Sequence, residues 1–220
     1  QPSLVTASTV NTNEDTASSS IAFSATDPDG DALHYTFSDP TKGSVTNNGD
    51  GTYNYTPYAN ENGSDSFTIT VNDGTVDVSQ TIDVTINAVN NAPFLTAPAT
   101  LSIDEDTASS AITFSGTDED GDSLTYLFSD PSKGSVTNNA NGTYTYMPDA
   151  NESGSDSFTI TVNDGTVNVS QIVEVTINTV NDAPTGAIAV LGILEQGSEL
   201  TAYTLNLSDI DGLGALSYQW

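Results

Sequence analysis

Three aspartates alternate in Asp27-Pro28-Asp29-Gly30-Asp31 and again in Asp118-Glu119-Asp120-Gly121-Asp122. On a turn between two strands, that spacing gathers carboxylate oxygens around one point. At neutral pH such carboxylates repel one another, and a bound hard cation converts the repulsion into attraction. Calcium takes roughly six to eight oxygens at about 2.3–2.6 Å in flexible geometry, whereas magnesium demands octahedral order and keeps its waters. An EF-hand loop opens with the same alternation, but position 12 counted from Asp27 is Ser38, and from Asp118 it is Ser129. That loop needs a bidentate Glu there, so it is excluded. The competing reading is a solvated hairpin turn, because Asp and Gly are ordinary turn residues.

One turn cannot fill a calcium shell, so further oxygens must come from elsewhere in the fold. The candidates recur in pairs: Glu14-Asp15 and Glu105-Asp106 at the end of a first strand, Asp65 and Asp156 entering a sixth, and Asp73 and Asp164 leaving it. Two Asn/Asp segments, Asn90-Asn91-Ala92-Pro93 and Asn181-Asp182-Ala183-Pro184, add more. Without metal, the same residues read as strand-end caps and turn formers.

The composition agrees. Thirty Asp and Glu face two Lys and Arg and one His, for a formal net charge of -28. A chain whose basic inventory is Lys42 and Lys133 cannot hold a phosphate backbone, which excludes nucleic acid as a partner, and an anionic bilayer surface would repel it. No apolar stretch is long enough for a membrane span. With no cysteine, disulfides, thiolate zinc sites and cysteine nucleophiles are all absent. The start at Gln1, without Met or a signal-peptide pattern, reads as a processed or excised piece of a longer chain.

The pairing reflects a repeat. At an offset of 91 positions, residues 12–93 and 103–184 match at roughly 60 of 82 places without an insertion, the mark of tandem copies of one folding unit. Within each copy, short runs alternate apolar and polar residues between Asp-Gly, Asn-Gly and Lys-Gly turns. In the second copy the predicted strands are 96–103, 111–115, 124–128, 135–138, 142–146, 157–162 and 167–177. Seven strands in 91 residues predict an all-β fold of tandem immunoglobulin-like antiparallel sandwiches, with no amphipathic helix. The expected domains are 1–92, 93–183 and a truncated start of a third immunoglobulin-like unit at 184–220, with strands at 187–191, 199–207 and 215–220. The prolines stiffen the short connections.

These motifs resemble those of cadherin-like tandem repeats in large secreted bacterial adhesins. Asn13-Glu14-Asp15 and Asp104-Glu105-Asp106 are similar to the segment carrying a calcium-binding glutamate at the end of the first strand. Ala25-Thr26-Asp27-Pro28-Asp29 and Gly116-Thr117-Asp118-Glu119-Asp120 are similar to the A-T-D-x-D motif, and the two Asn/Asp-Ala-Pro segments to the interdomain linker, one residue shorter. The resemblance implies calcium held jointly by a linker, the base of one repeat and the top of the next. One set would join Glu14, Asn90 and Asn91 with Asp118, Asp120 and Asp164. Another would join Glu105, Asn181 and Asp182 with Asp209 and Asp211. The family's acid-x-acid pair is replaced by Asn60-Glu61-Asn62 and Asn151-Glu152-Ser153, so Asp65 and Asp156 are the substitutes.

The reading is a calcium-rigidified extender or adhesion segment of an extracellular surface protein, non-catalytic, whose partners are calcium, neighbouring repeats and a cell-surface or glycan ligand. The rival is a carbohydrate-binding accessory module of a secreted polysaccharide-degrading enzyme, and a third reading is a pure spacer. Tyr53, Tyr55, Tyr144 and Tyr146 discriminate the rival, since a sugar platform needs them exposed and a core needs them buried. His34, without a partner for base or zinc chemistry, reads as a strand surface residue.

Overall fold

A computed structural model describes residues 1–192, 195–204 and 206–217. The chain forms two compact units, Gln1–Ala92 together with Glu119–Asp122, and Pro93–Asp118 together with Ser123–Trp220. Among the described residues every regular element is a strand.

In the first unit the strands are β1 (Ser3–Thr6), β2 (Thr9–Asn13), β3 (Ile21–Thr26), β4 (His34–Phe37), β5 (Gly43–Asn47), β6 (Thr52–Pro57), β7 (Gly63–Asn72) and β8 (Asp77–Asn87). They make two sheets, ordered β1-β3-β6-β5 and β2-β8-β7-β4. Alternation along β7 and β8 sends Phe67, Ile69, Val71, Ile82, Val84 and Ile86 inward, while Ser66, Thr68, Thr70, Thr81, Asp83 and Thr85 take the opposite face. Across from them, Tyr53 and Tyr55 of β6 are 0% exposed. Phe23 meets Tyr35 and Phe37 edge-on at 5.0 and 5.5 Å, and Tyr53 meets Phe67 at 5.6 Å. Pairs of this kind add about 0.5–1.5 kcal/mol each beyond their buried area.

The second unit repeats the plan with β9 (Phe94–Thr96), β10 (Thr100–Asp104), β11 (Ile112–Thr113), β12 (Ser115–Thr117), β13 (Thr125–Phe128), β14 (Gly134–Asn138), β15 (Thr143–Pro148), β16 (Gly154–Asn163) and β17 (Asn168–Asn178). Its main sheet is β10-β17-β16-β13, opposed by β11-β15-β14 and the pair β12-β9. Tyr144, Tyr146, Phe158, Ile160 and Val162 fill its core.

Two features depart from the expected strands. The single opening strand at 96–103 is split, β9 pairing with β12 and β10 with β17, because a strand that changes sheets gives each sheet an edge. The first unit splits its opening strand likewise into β1 and β2, without a proline at the break. The second halves, β2 and β10, run parallel to β8 and β17, a direction that period-two alternation does not encode. Beyond residue 184 the expected strands shorten to β18 (Ala189–Gly192) and β19 (Leu200–Tyr203), joined as an antiparallel pair. Residues 215–217 are not strand, and the remainder of that prediction, at 218–220, lies outside the described residues, as does position 205 of the 199–207 strand.

Candidate metal centres

The β3–β4 turn brings its aspartates together by local chemistry. Asp27 Oδ1 accepts the amides of Asp29 at 2.8 Å and Asp31 at 3.4 Å, and Gly30 takes φ 79°, a left-handed conformation that a side chain resists. One carboxylate oxygen from each of Asp27, Asp29 and Asp31 lies within 4.8 Å of the others, as do those of Asp118, Asp120 and Asp122. Two oxygens bound to one calcium at about 2.5 Å stand at most about 5 Å apart, so both clusters fit.

Asp73, from the β7–β8 turn, joins the first cluster. Its Oδ1 accepts Thr75 N, Thr75 Oγ1 and Val76 N at 2.7–2.8 Å, which hold the carboxyl down at about 2. Its Oδ2 faces the Gln1 ammonium at 3.8 Å, and the same ammonium stands 3.5 Å from Asp27 and 4.0 Å from Asp29. Burial pushes the Asp27 carboxyl up, but the Asp29 and Asp31 amides and this ammonium outweigh it and keep it low. In the second unit the counterpart Asp164 is buried, and its Oδ1 accepts Thr166 N and Val167 N at 2.6 Å each.

Glu14 organises a further centre inside the first unit. It is 2% exposed, Oε1 accepts the Val89 amide, and Oε2 accepts Asn62 Nδ2 at 3.2 Å. Beside it the Asn91 amide donates to Asp120 Oδ2 at 2.6 Å, and Asn90 Nδ2 turns back onto Asn91 O at 2.8 Å. Asn60, Asn62, Asn90, Glu119, Asp120 and Asp122 line one open cleft there.

Glu105 builds the equivalent centre inside the second unit. It is 5% exposed, and its Oε1 accepts the Val180 amide at 2.7 Å. Asp182 N donates to Asp211 Oδ2 at 2.6 Å, Asn181 Nδ2 to Asp182 O at 2.7 Å, and Asp211 N to Asp209 Oδ1 at 3.0 Å. Asp182 Oδ2 is buried without a hydrogen-bond partner among the described residues. Burial, together with the charges of Asp106, Asp211, Glu105 and Asp209, pushes the Asp182 carboxyl up. A buried carboxylate oxygen without a donor, ringed by like charge, is the environment a hard cation relieves. Oxygen-only donors of this kind suit calcium, and Glu105, Asn181, Asp182, Asp209 and Asp211 are the residues that would hold it.

Asp65 and Asp156 are held by donors of the fold itself. Both oxygens of Asp65 are engaged, Oδ1 by Thr41 N and Oγ1 and by Ser66 N, and Oδ2 by Lys42 N at 2.9 Å and Tyr55 OH at 2.6 Å. Asp156 receives the equivalent bonds from Ser132, Lys133 and Tyr146. Burial pushes both carboxyls up, but these donors win and hold them at about 2. Their function is to pin the turn before β5 or β14 to the core tyrosine, and neither belongs to the acidic clusters.

Sequence reasoning missed the amides of Asn60 and Asn62 as partners of Glu119 and Glu14, having treated their segment as a departure from an acidic motif. It also missed Lys42 and Lys133, whose ammonium groups hold that loop through Asn62 O and Ser153 O. A side-chain amide at an acidic motif position was the available signal, since it donates where a carboxylate would ligate. His34 is an exposed strand residue, as expected. The four tyrosines are core, so they form no exposed strip for a sugar.

The profile of the bacterial cadherin-like domain matches residues 1–88 and 90–180. No curated protein matches the chain. Among solved structures, Drosophila N-cadherin EC1-4 is 19% identical with a TM-score of 0.48, over 77% of this chain and 47% of that one. Human protocadherin-24 EC1-2 is 16% identical with a TM-score of 0.46, over 78% of this chain and 95% of that one. An endo-fucoidan hydrolase of glycoside hydrolase family 107 is 19% identical with a TM-score of 0.36, and the match spans only 29% of its length. Two tandem profile matches over most of the residues, on an all-β chain, place this protein in the bacterial cadherin-like domain family.

Proposed function

We propose that the chain is a calcium-binding, calcium-stiffened extender or adhesion segment of a large extracellular surface protein, built from cadherin-like repeats at 1–92 and 93–183 with a third unit beginning at 184. The observation that carries this reading is Asp182, whose buried Oδ2 has no donor among the described residues and stands amid Glu105, Asp106, Asp209 and Asp211. Calcium supplies the positive charge these oxygens lack, while the chain's own residues fix where the oxygens stand. Glu105 is anchored by the Val180 amide and Asp211 by the Asp182 amide, so the donors are positioned by backbone. The role read from this arrangement of backbone-positioned oxygen donors is mechanical.

Melting in EDTA and in millimolar calcium tests the proposal. Extracellular modules bind calcium with dissociation constants of roughly 0.1–1 mM, and ligand at 100 times its constant adds about 2.7 kcal/mol per site. For units of this size that corresponds to a rise of roughly 10 °C or more. Identical melting curves in the two buffers, with no heat of calcium binding, would overturn it.

A further inference from the structure

We propose that the two centres differ in what calcium does to them: the Glu14 centre closes on its own asparagine amides and keeps its form without metal, whereas the Glu105 centre forms only with the cation. This rests on the calcium reading above and concerns how each centre responds.

The argument compares residues 91 positions apart. At the Glu14 centre three side-chain amides stand among the carboxylates. Asn62 Nδ2 donates to Glu14 Oε2, Asn60 Nδ2 donates to Glu119 Oε2, and Asn91 Nδ2 donates to Asn60 Oδ1 at 2.8 Å. The loop that carries Asn60 and Asn62 is fastened twice more, by Asn60 N on Asp15 Oδ1 at 3.0 Å and by Lys42 on Asn62 O. Two carboxylates therefore have neutral donors, and the ring closes from β2 through the loop to the linker.

At the Glu105 centre the corresponding positions are Ser153, Ile210 and Asp182. Serine replaces the amide that reaches the glutamate, isoleucine replaces the carboxylate that the other asparagine holds, and an aspartate replaces Asn91. The backbone donors remain, Val180 N to Glu105, Asp182 N to Asp211, and Asn151 N to Asp106 Oδ1 at 2.9 Å, and Lys133 still holds Ser153 O, but among the described residues none of the three side-chain amide bonds has a counterpart. The substitution of Asp182 for Asn91 removes a donor and adds a charge, and its Oδ2 is the buried oxygen that no described donor reaches. Like charges without donors drive such a ring apart, and a divalent cation reverses the sign. An amide at a ligand position keeps an oxygen for the metal but lowers the charge of the donor set, which weakens affinity. The Glu105 centre thus binds calcium at the lower concentration, and its backbone bonds persist only when it is loaded.

Amide hydrogen exchange on the whole chain, read at Val89 and Asn91 and at Val180 and Asp182, tests this, with calorimetry in parallel. In EDTA the Val89 and Asn91 amides should be protected, changing less than threefold when calcium is added, whereas Val180 and Asp182 should slow by tenfold or more. Calorimetry should resolve two affinities at least tenfold apart. The exposed-loop variant Asn62→Ser should make Val89 calcium-dependent, and Asp182→Asn should reduce the dependence at Val180. Equal responses at the two centres, with calcium bound, overturn this inference and leave the calcium reading standing. No heat of binding and no response at either centre overturns both.

Discussion

The Asp182 backbone amide donates to Asp211 Oδ2 at 2.6 Å, and the Asn91 amide makes the same bond to Asp120 Oδ2 at the same distance. In both places a linker amide holds an aspartate of the D-x-D-G turn at one end of its carboxylate. The remaining charge around Asp182 therefore cannot relax by moving that aspartate away without breaking a backbone hydrogen bond.

A substitution at Asp211 should accordingly change sign with calcium. Asp211→Asn keeps an acceptor for the Asp182 amide but removes one of the charges that crowd Asp182. In EDTA the variant should melt a few degrees higher than the parent, and in saturating calcium lower, with calcium affinity down roughly tenfold or more. Scanning calorimetry in the two buffers reads both signs, and a shift in the same direction in each would contradict the arrangement.

Acid should act through Asp65 and Asp156. Both carboxyls lie at about 2 in the fold, against about 3.9 for a free aspartate, so folding favours their ionised form. That contribution is fully present above about pH 4 and is lost as pH falls through about 2. For the buried Asp156 it amounts to about 2 kcal/mol. Asp156→Asn should lower stability at pH 7 by that order and flatten the acid limb between pH 4 and 2. Urea unfolding at several pH values measures it, and an unchanged acid limb would count against the assignment.

Tyr144 and Tyr53 should respond differently to loss of the hydroxyl. Tyr53 OH lies 3.5 Å from Thr6 Oγ1, but position 97, the counterpart of Thr6, is alanine, and Tyr144 OH is buried with no partner among the described residues. Removing an unsatisfied buried hydroxyl is neutral or favourable, so Tyr144→Phe should leave stability unchanged or raise it by up to about 1 kcal/mol. Tyr53→Phe should cost roughly 0.5 kcal/mol. Paired denaturant titrations compare the two.

Gly43 and Gly134 should tolerate no side chain. A Cβ at Gly43 would stand 2.5 Å from Tyr55 Oη and 2.6 Å from Thr56 O, and at Gly134 2.5 Å from Met147 O. The nearby backbone carbonyl cannot swing aside. Alanine at either position should destabilise by about 1–3 kcal/mol. Because the displaced tyrosine also holds Asp65 or Asp156, the same variants should weaken the acid dependence described above.

Much of this protein was legible before its structure. Offset identity gave the repeat, period-two alternation gave β7, β8, β16 and β17, and aspartate spacing marked turns whose carboxylates do converge. What stayed hidden depended on partners distant along the chain. Asp65 looks like any other aspartate near an acidic motif, and only the register that puts Tyr55 and the residue 41–42 amides around it reveals a turn anchor. Asn62 was read as a missing ligand, although its amide completes a hydrogen-bonded ring on Glu14.

The amino-acid sequence by itself determined that the chain is acidic, repeated, all-β and furnished with clustered hard oxygen donors, because composition, periodicity and turn chemistry are local properties. The tertiary structure decided which donors are spent on the fold and which converge with unrelieved charge. That choice depends on which strands change sheets, which run parallel, and which side chain stands across each carboxylate, and each is fixed by packing between residues far apart in the chain.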